Sequence, residues 1–364
     1  MLMMPLFWLA LGAPGGLESP TSAEFCGRCH TAILEAWKLS AHAHAMDSRL
    51  FQDALEVAET GFGSSARRTC LKCHAPVAVD TGDLTLQRKV SWEGVTCDYC
   101  HAIRDVSLGG ANPKAAVEFS FVRHGPIKDA ESMAHGTAYS AVHTSAAICA
   151  PCHEYRNALG FPVLTTYSEW ANSSYGKEGK ACQSCHMYRT AGDVVDPRVM
   201  QSSTPINLHQ MPGARSLEQL SKTITAQLAA FREGDHVRVR VDVTNRAAGH
   251  YVPTGSPLRR LILEVKADPF GGEHFREERV YGRSVADQAG TRIEQEHLAF
   301  LSAAKVLEDT RLAPGEKRTE SFTFAIPAGS PTRVTATLRY FYSPFARTES
   351  QKRMTFLSMS RLVR

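Results

Sequence analysis

The chain has 364 residues, with 41 Lys plus Arg against 37 Asp plus Glu, 43% hydrophobic and 21% charged residues. That is ordinary globular composition with room for about two domains, and it excludes collagen-like, disordered and multi-span membrane chains. A formal charge of +4 over this length, with no dense basic run, excludes a dedicated nucleic-acid binder.

Residues 1–13 form an apolar run, Met-Leu-Met-Met-Pro-Leu-Phe-Trp-Leu-Ala-Leu-Gly-Ala, too short to span a bilayer comfortably and of the length of a signal-peptide core. Pro5 and the Gly15-Gly16 pair argue against a buried helix there. A Pro/Gly/Ser-rich stretch from Pro14 to Ser22 follows, and cleavage is expected after Ala23. Residues 1–23 are therefore expected to be a signal peptide, leaving a mature chain without a transmembrane span in the periplasm or outside the cell.

From Glu24 to about Arg215, short helical stretches alternate with Gly, Ser and Asn breaks, and period-two alternation is scarce. This segment carries all ten cysteines, each in a Cys-x-x-Cys-His unit. The first unit is Cys26, Cys29 and His30; the second is Cys70, Cys73 and His74; the third is Cys97, Cys100 and His101. Cys149, Cys152 and His153 make the fourth, and Cys182, Cys185 and His186 the fifth. None is left for a structural disulfide. Two thiols three positions apart can form thioethers to the two vinyl groups of one haem, while the next residue, His, turns in to ligate the iron. A zinc site would need two Cys-x-x-Cys pairs in one tetrahedron, and five identical units each ending in His do not sort that way. Five haem c groups, each with iron, are expected. At one haem per roughly 32 residues the side chains are too few to bury each porphyrin alone, so the haems are expected to pack on one another as the core.

After Ser216 the texture changes. His236 to Thr244 alternates strictly, and Arg260 to Lys266, Glu320 to Ala325, Arg333 to Tyr342 and Arg353 to Leu357 read as further strands bounded by Pro and Gly turns. The expected fold class is α+β in two domains: a helix-and-loop multihaem cytochrome domain with a haem-packed core at 24–215, then a β-sandwich domain at 216–364.

With those residues in view, the chain resembles the multihaem c-type cytochromes related to the tetrahaem electron carriers of ammonia oxidisers. Beyond the haem motifs, the likeness rests on Trp37-x-x-Ser40-x-His42-Ala43, Glu93-Gly94-Val95-x-Cys97, Gly125-Pro126, Tyr167-x-Glu169-Trp170-x-x-Ser173, Cys182-Gln183-x-x-Cys185-His186-Met187 and Gly249-His250-x-x-Pro253-Thr254-Gly255. Trp37-x-x-Ser40 and Trp170-x-x-Ser173 read as two copies of one local turn. The resemblance implies electron transfer through mostly bis-histidine haems and points to distal iron ligands. His42 fits the first motif, His135 and His143 precede the fourth, His209 follows the fifth, and His250 fits the Gly-His-x-x-Pro-Thr-Gly loop. A ligand at His250 would clamp the two domains together through an iron bond.

Fifteen histidines less the five motif ligands leave ten for five distal positions. His44 competes with His42, and His124 competes with His135 or His143. His236, His274 and His297 match no motif and read as solvated or structural. Met46 and Met187 read as packing residues rather than axial ligands, and Trp37, Trp92 and Trp170 as packing against porphyrin. No nucleotide loop, nucleophile elbow or zinc-protease helix is present.

Two functions follow. The first is an exported electron carrier whose partners are other redox proteins or cytochromes, with a homo-oligomer or filament compatible with it. The alternative is a reductase or oxidase of a small nitrogen or sulfur oxyanion at one haem with an open distal site. The first is favoured, because the active-site motif of pentahaem nitrite reductases commonly ends in Lys, whereas all five here end in His.

Overall fold

The computed structural model describes residues 20–200, 205–344, 348 and 352–364. Apart from residues 20–23, the expected signal peptide lies outside the described residues. The fold is mixed helix and sheet.

In the first half the helices are short, and four of them stop at a motif histidine: Ser64–His74, Cys97–His101, Ala150–His153 and Gln183–His186. Helical spacing sets residues three apart on one face, so the thiols of a motif wound in this way lie together. The first motif is built differently. Its helix, Ala23–Cys26, ends on the first cysteine, and Cys29 stands in the turn beyond it, where the Cys29 amide donates to the Cys26 carbonyl at 3.2 Å and the His30 amide to the same carbonyl at 3.0 Å.

The longest helix of this half, Arg49–Phe62, buries Leu55 and Ala58 and is followed by Gly63 at a φ of +73°, a left-handed stop that glycine adopts without strain. Four two-stranded ribbons tie the loops: β1 (Ile103–Ser107) with β2 (Lys114–Val117), β3 (Val122–Gly125) parallel to β4 (Gly136–Tyr139), β5 (Glu154–Arg156) with β6 (Pro162–Thr165), and β7 (Arg189–Thr190) with β8 (Ile206–Asn207). The apolar core of this half is divided into small clusters around Met46 and Leu71, around Val77 and Tyr99, and around Leu34 and Trp37.

The second half is sheet. Its strands are β9 (Ile224–Glu233), β10 (His236–Asn245), β11 (Arg260–Pro269), β12 (Phe275–Ala286), β13 (Lys305–Asp309), β14 (Lys317–Ala325), β15 (Thr332–Phe341) and β16 (Arg353–Val363). They form a three-stranded sheet, β14-β10-β9, and a five-stranded one, β13-β12-β11-β15-β16, every pairing antiparallel. On β10, Val237, Val239, Val241 and Val243 are buried while Arg238 and Arg240 face out, the period-two division that β-branched residues favour. Those valines share one apolar cluster with Leu261, Leu263, Val265, Val334, Ala336 and Leu338 of the five-stranded sheet. The expected strands are all present; β9, β12 and β13 were not expected. Among the described residues no helix is long and apolar enough to cross a membrane.

The halves meet along an apolar seam, where Phe161 and Val163 pack with Leu258, Val285, Ile293 and Ala299. Polar ties flank it. Asn157 donates its side-chain amide to the Ala303 carbonyl at 2.7 Å, and the Thr166 and Thr254 hydroxyls lie 2.9 Å apart. At the centre the Glu169 carboxylate accepts from Arg311 at 2.6 Å, the Thr254 hydroxyl at 2.7 Å, the Thr165 hydroxyl at 2.6 Å and the Tyr251 amide at 3.2 Å. Glu169 is 6% and Arg311 9% exposed, so removing one partner strands a buried charge. Arg311→Ala should therefore destabilise the mature protein by about 3–5 kcal/mol, read as a fall in its thermal midpoint. Lys180→Ala, which removes an exposed pair with Glu178 and an ammonium over the Tyr175 ring, should move the melt far less.

Candidate functional site

The ten motif cysteines are free of disulfides, and thiols from different motifs come together. The Cys26 thiol lies near that of Cys97, the Cys73 thiol near that of Cys152, and the Cys149 thiol near that of Cys182. The Cys100 charge also acts on both Cys149 and Cys152. Motif one therefore adjoins motif three, motif three adjoins motif four, and motif four also adjoins motifs two and five.

Cys29, expected to tether the first haem together with Cys26, is half-buried and is held through its backbone. Its carbonyl accepts the Asp196 amide at 2.6 Å, and the Asp196 carboxylate accepts from the Thr31 hydroxyl at 3.4 Å. With the first cysteine on a helix and Cys29 on a turn, motif one relies on this chain segment, far along the sequence, to fix its second thiol. Cys185 is the exposed member of the ten, and its carbonyl accepts the Gln219 side-chain amide at 3.1 Å.

Four of the five motif histidines face another imidazole across nearly one distance. Ring centroids lie 6.3 Å apart for His30 and His135, 6.2 Å for His42 and His153, 6.4 Å for His101 and His209, and 6.4 Å for His186 and His250. Two imidazoles bound to one first-row metal ion, with metal–nitrogen bonds of about 2.0 Å, would have centroids roughly 6.3 Å apart. The donor set thus fits one six-coordinate iron per pair. Among the described residues no group of three or more His, Cys, Asp or Glu side chains forms a metal site; the histidines come in twos, as axial ligation requires.

The other ring nitrogen is fixed in three of these pairs. The Nδ1 of His30 meets the Val194 carbonyl at 2.6 Å and that of His135 the Gly136 carbonyl at 2.9 Å. His101 meets the His124 carbonyl at 2.7 Å and His209 the Asn207 carbonyl at 2.7 Å. His186 meets the Pro212 carbonyl at 2.7 Å and His250 the Tyr251 carbonyl at 2.8 Å. An Nδ1–H that donates to a carbonyl fixes the tautomer with its lone pair on Nε2, the form that binds a metal. Burial favours the neutral form of several of these rings: it lowers His209 to about 4, and lowers His42, His101 and His250 as well.

His74 differs. Its Nδ1 meets the Ala45 carbonyl at 3.2 Å and burial lowers it to about 4, but its ring contact among the described residues is Phe51, stacked at 3.8 Å and 5°. Met46, next to Ala45, is fully buried against Leu71 and Cys70. His143, expected opposite a motif histidine, lies beside one instead. It stacks on His101 at 5.6 Å and 19°, with its Nε2 3.0 Å from the Cys100 carbonyl. Of the competitors, His44 bonds Asp47 at the surface, and His124 offers its backbone carbonyl to His101. His236 and His274 are exposed, and His297 is buried against Phe62.

Local structure explains how the facing rings are placed. Ser40 N donates to the Trp37 carbonyl at 2.8 Å and Ser173 N to the Trp170 carbonyl at 3.0 Å. Each serine hydroxyl then accepts the amide three residues on, Ala43 at 3.0 Å and Gly176 at 3.3 Å. Both indoles donate to a carbonyl two residues before a motif cysteine, Trp37 to Val95 at 3.0 Å and Trp170 to Lys180 at 2.8 Å. The two segments are thus one repeated device, each anchoring a turn to a later haem motif. Trp92 likewise donates, to the Leu86 carbonyl at 3.0 Å. The role of Glu169 was not read from the sequence; its signal was the Tyr167-x-Glu169-Trp170 pattern, which carried no partner.

Gly94 seats the first of these turns. It has a φ of +71° and a Cβ there would strike the His42 carbonyl, which accepts the Val95 amide at 3.0 Å. Gly94→Ala should cost more than about 1 kcal/mol in a thermal melt and displace the His42 segment.

Residues 25–102 match the family described as cytochrome c554 and c-prime. A pentahaem cytochrome c552 from Thermochromatium tepidum has a similar structure, with a TM-score of 0.76 and 22% sequence identity over 94% of this chain and 99% of that one. At that identity the likeness establishes the fold. The sporulation control protein Spo0M from Bacillus subtilis is 13% identical over 39% of this chain and 47% of its own, and its TM-score of 0.16 bears no argument. No curated protein matches.

Proposed function

We propose that this chain, for which the comparisons support a multihaem c-type cytochrome family, is an exported pentahaem electron carrier. The observation that carries the reading is the set of four imidazole pairs at 6.2–6.4 Å, each containing one motif histidine. On this reading the apolar run that opens the chain belongs to a cleaved signal, with cleavage ahead of the expected Ala23 because Asp98 and Glu93 hold Thr21, Ser22 and Ala23 in the fold; 24–215 is a cytochrome domain and 216–364 a β-sandwich domain, which the apolar cluster shared by the two sheets supports.

Each motif would tether one haem through thioethers: Cys26 with Cys29, Cys70 with Cys73, Cys97 with Cys100, Cys149 with Cys152, and Cys182 with Cys185. His30 with His135, His101 with His209, His153 with His42 and His186 with His250 would be the axial ligands. His143 is left out of this set because its Nε2 faces a carbonyl. When bound, haem c supplies a reversible one-electron iron couple. The protein's part is to hold two imidazoles at fixed separation so that the coordination shell is the same in both oxidation states, which keeps nuclear rearrangement small. The thiol contacts support a spatial order of motifs one, three and four, with motifs two and five both beside four. Donor and acceptor are other redox proteins.

A second reading rests on His74, the one motif histidine without an imidazole opposite it among the described residues. Its iron would keep an open position, the site at which a small nitrogen or sulfur oxyanion could be reduced.

Three measurements test these assignments. The mature protein from a host that attaches haem should exceed its polypeptide mass by five haems; mass equal to the bare chain would end the reading. Its reduced spectrum should contain four haems indifferent to carbon monoxide and one that binds it. No response would remove the second reading, and two or more responding haems would contradict the pairs. Lowering the pH from 7 to 5 should leave the low-spin spectrum of the His101–His209 site unchanged, because burial holds both rings below the ordinary histidine range, whereas solvated imidazoles would protonate over that interval.

A further inference from the structure

The imidazole pairs are not equivalent. In three, both Nδ1 atoms meet a backbone carbonyl, but the Nδ1 of His42 is buried without a hydrogen-bond partner, and its partner His153 is exposed, its ring held by no carbonyl among the described residues. A donated Nδ1–H pushes electron density toward the metal-binding nitrogen and raises ligand basicity. That favours the more highly charged ferric ion. Rings without the bond are weaker donors and favour the ferrous ion.

Charge acts in the same direction. Arg259 donates to the Thr254 carbonyl at 3.2 Å and lies over the Tyr342 ring at 5.1 Å; from there its positive charge reaches His153. Glu296 lies near it, but burial raises that carboxyl and disfavours its anion. Elsewhere the cations are matched. Arg123, near His101, is paired with Asp98 at 3.2 Å, and Arg311, near His250, is paired with Glu169 at 2.6 Å. A cation whose neighbouring carboxyl is held toward its neutral form stabilises the reduced, less positive iron.

The position of this pair gives the difference a use, since motif four is the one whose thiols adjoin motifs two, three and five. We propose that His42, His153 and Arg259 give the fourth haem site the highest reduction potential of the four bis-histidine sites, making it the junction where electrons collect. An electron delivered by a one-electron redox protein to a neighbouring site is passed on. The neighbour returns from ferrous to ferric and the fourth site goes from ferric to ferrous, one electron for one, with no ligand exchanged. The inference rests on the ligand pairs proposed above.

The test is a potentiometric titration of the mature holoprotein, following its low-spin components. His42→Gly should abolish the component of highest potential, while His135→Gly, His209→Gly and His250→Gly each abolish a lower one. If His42→Gly removes a lower component and leaves the highest in place, the inference is overturned and the ligand pairs stand. If it removes none, the pairing itself is wrong and the inference falls with it. Should His42→Gly fail to fold, Arg259→Gln decides. The highest midpoint potential should drop more than any other and return with Arg259→Lys; a highest component that does not move overturns the inference.

Discussion

An axial pair demands that two imidazoles from distant parts of the chain point at one another and be held at a separation that side-chain packing alone would not choose. Rings left to pack would close to van der Waals contact, as Phe51 and His74 do at 3.8 Å. The four facing pairs at 6.2–6.4 Å are kept apart by what lies behind each ring, and for most of them that is a backbone carbonyl on Nδ1. The small ribbons supply three of these carbonyls, those of His124 on β3, Gly136 on β4 and Asn207 on β8.

The same demand explains the contact between the halves. His250 comes from the sheet half and faces His186 of the first half, so the loop that carries it cannot float. Glu169 takes the Tyr251 amide and the Thr254 hydroxyl of that loop and is itself held by Arg311. Gly249 allows the approach: a Cβ there would lie 3.0 Å from the Tyr175 Cβ and 3.2 Å from Trp170 Cδ1. A buried ion pair is a weak source of net stability because desolvation offsets most of its attraction. Its value here is directional, since Arg311, itself held by Asp309, fixes the Glu169 carboxylate that receives the loop's amide and hydroxyl.

What could be read from the sequence follows from how local each constraint is. The Cys-x-x-Cys-His units and the valine alternation of β10 are complete within a few residues, so they were visible. The support behind Cys29 was not, because the amide that holds its carbonyl belongs to Asp196, remote in the chain and marked by no pattern. β12 was not visible either, because its outward residues, Arg276, Glu278 and Val280, mix with inward Glu277 and Arg279, and its charges are satisfied by neighbours such as Glu264 and Glu320. The histidines His42, His135, His209 and His250 were visible through family resemblance, but the assignment of His42 to the first motif differs from the structure, where its ring faces His153 of the fourth. His42 follows the first motif in the chain and faces the fourth, because the turn at Gly94 and the Trp37 indole bond draw its segment across the intervening chain. His143 has the same sequence credentials as His135, and what separates them is the Cys100 carbonyl, which occupies the Nε2 of one and is out of reach of the other.

Burial also differs between the halves in a way that bears on the proposed cofactor. The sheet half has one continuous apolar cluster joining Val237 to Leu338, enough to fold around. The first half has three small clusters with the motif thiols lying between them, Cys70 against one, Cys100 against another and Cys97 against the third. Side chains so divided bury too little surface to offset the entropy of ordering so many loops. Porphyrins tethered at those thiols would join the clusters into one core, and because adjoining thiols belong to different motifs, joining the core would also bring the ring edges together. Stability and electron passage would then rest on the same contacts, so a substitution that loosens the packing between two motifs would slow transfer between them by an amount that tracks the lost stability.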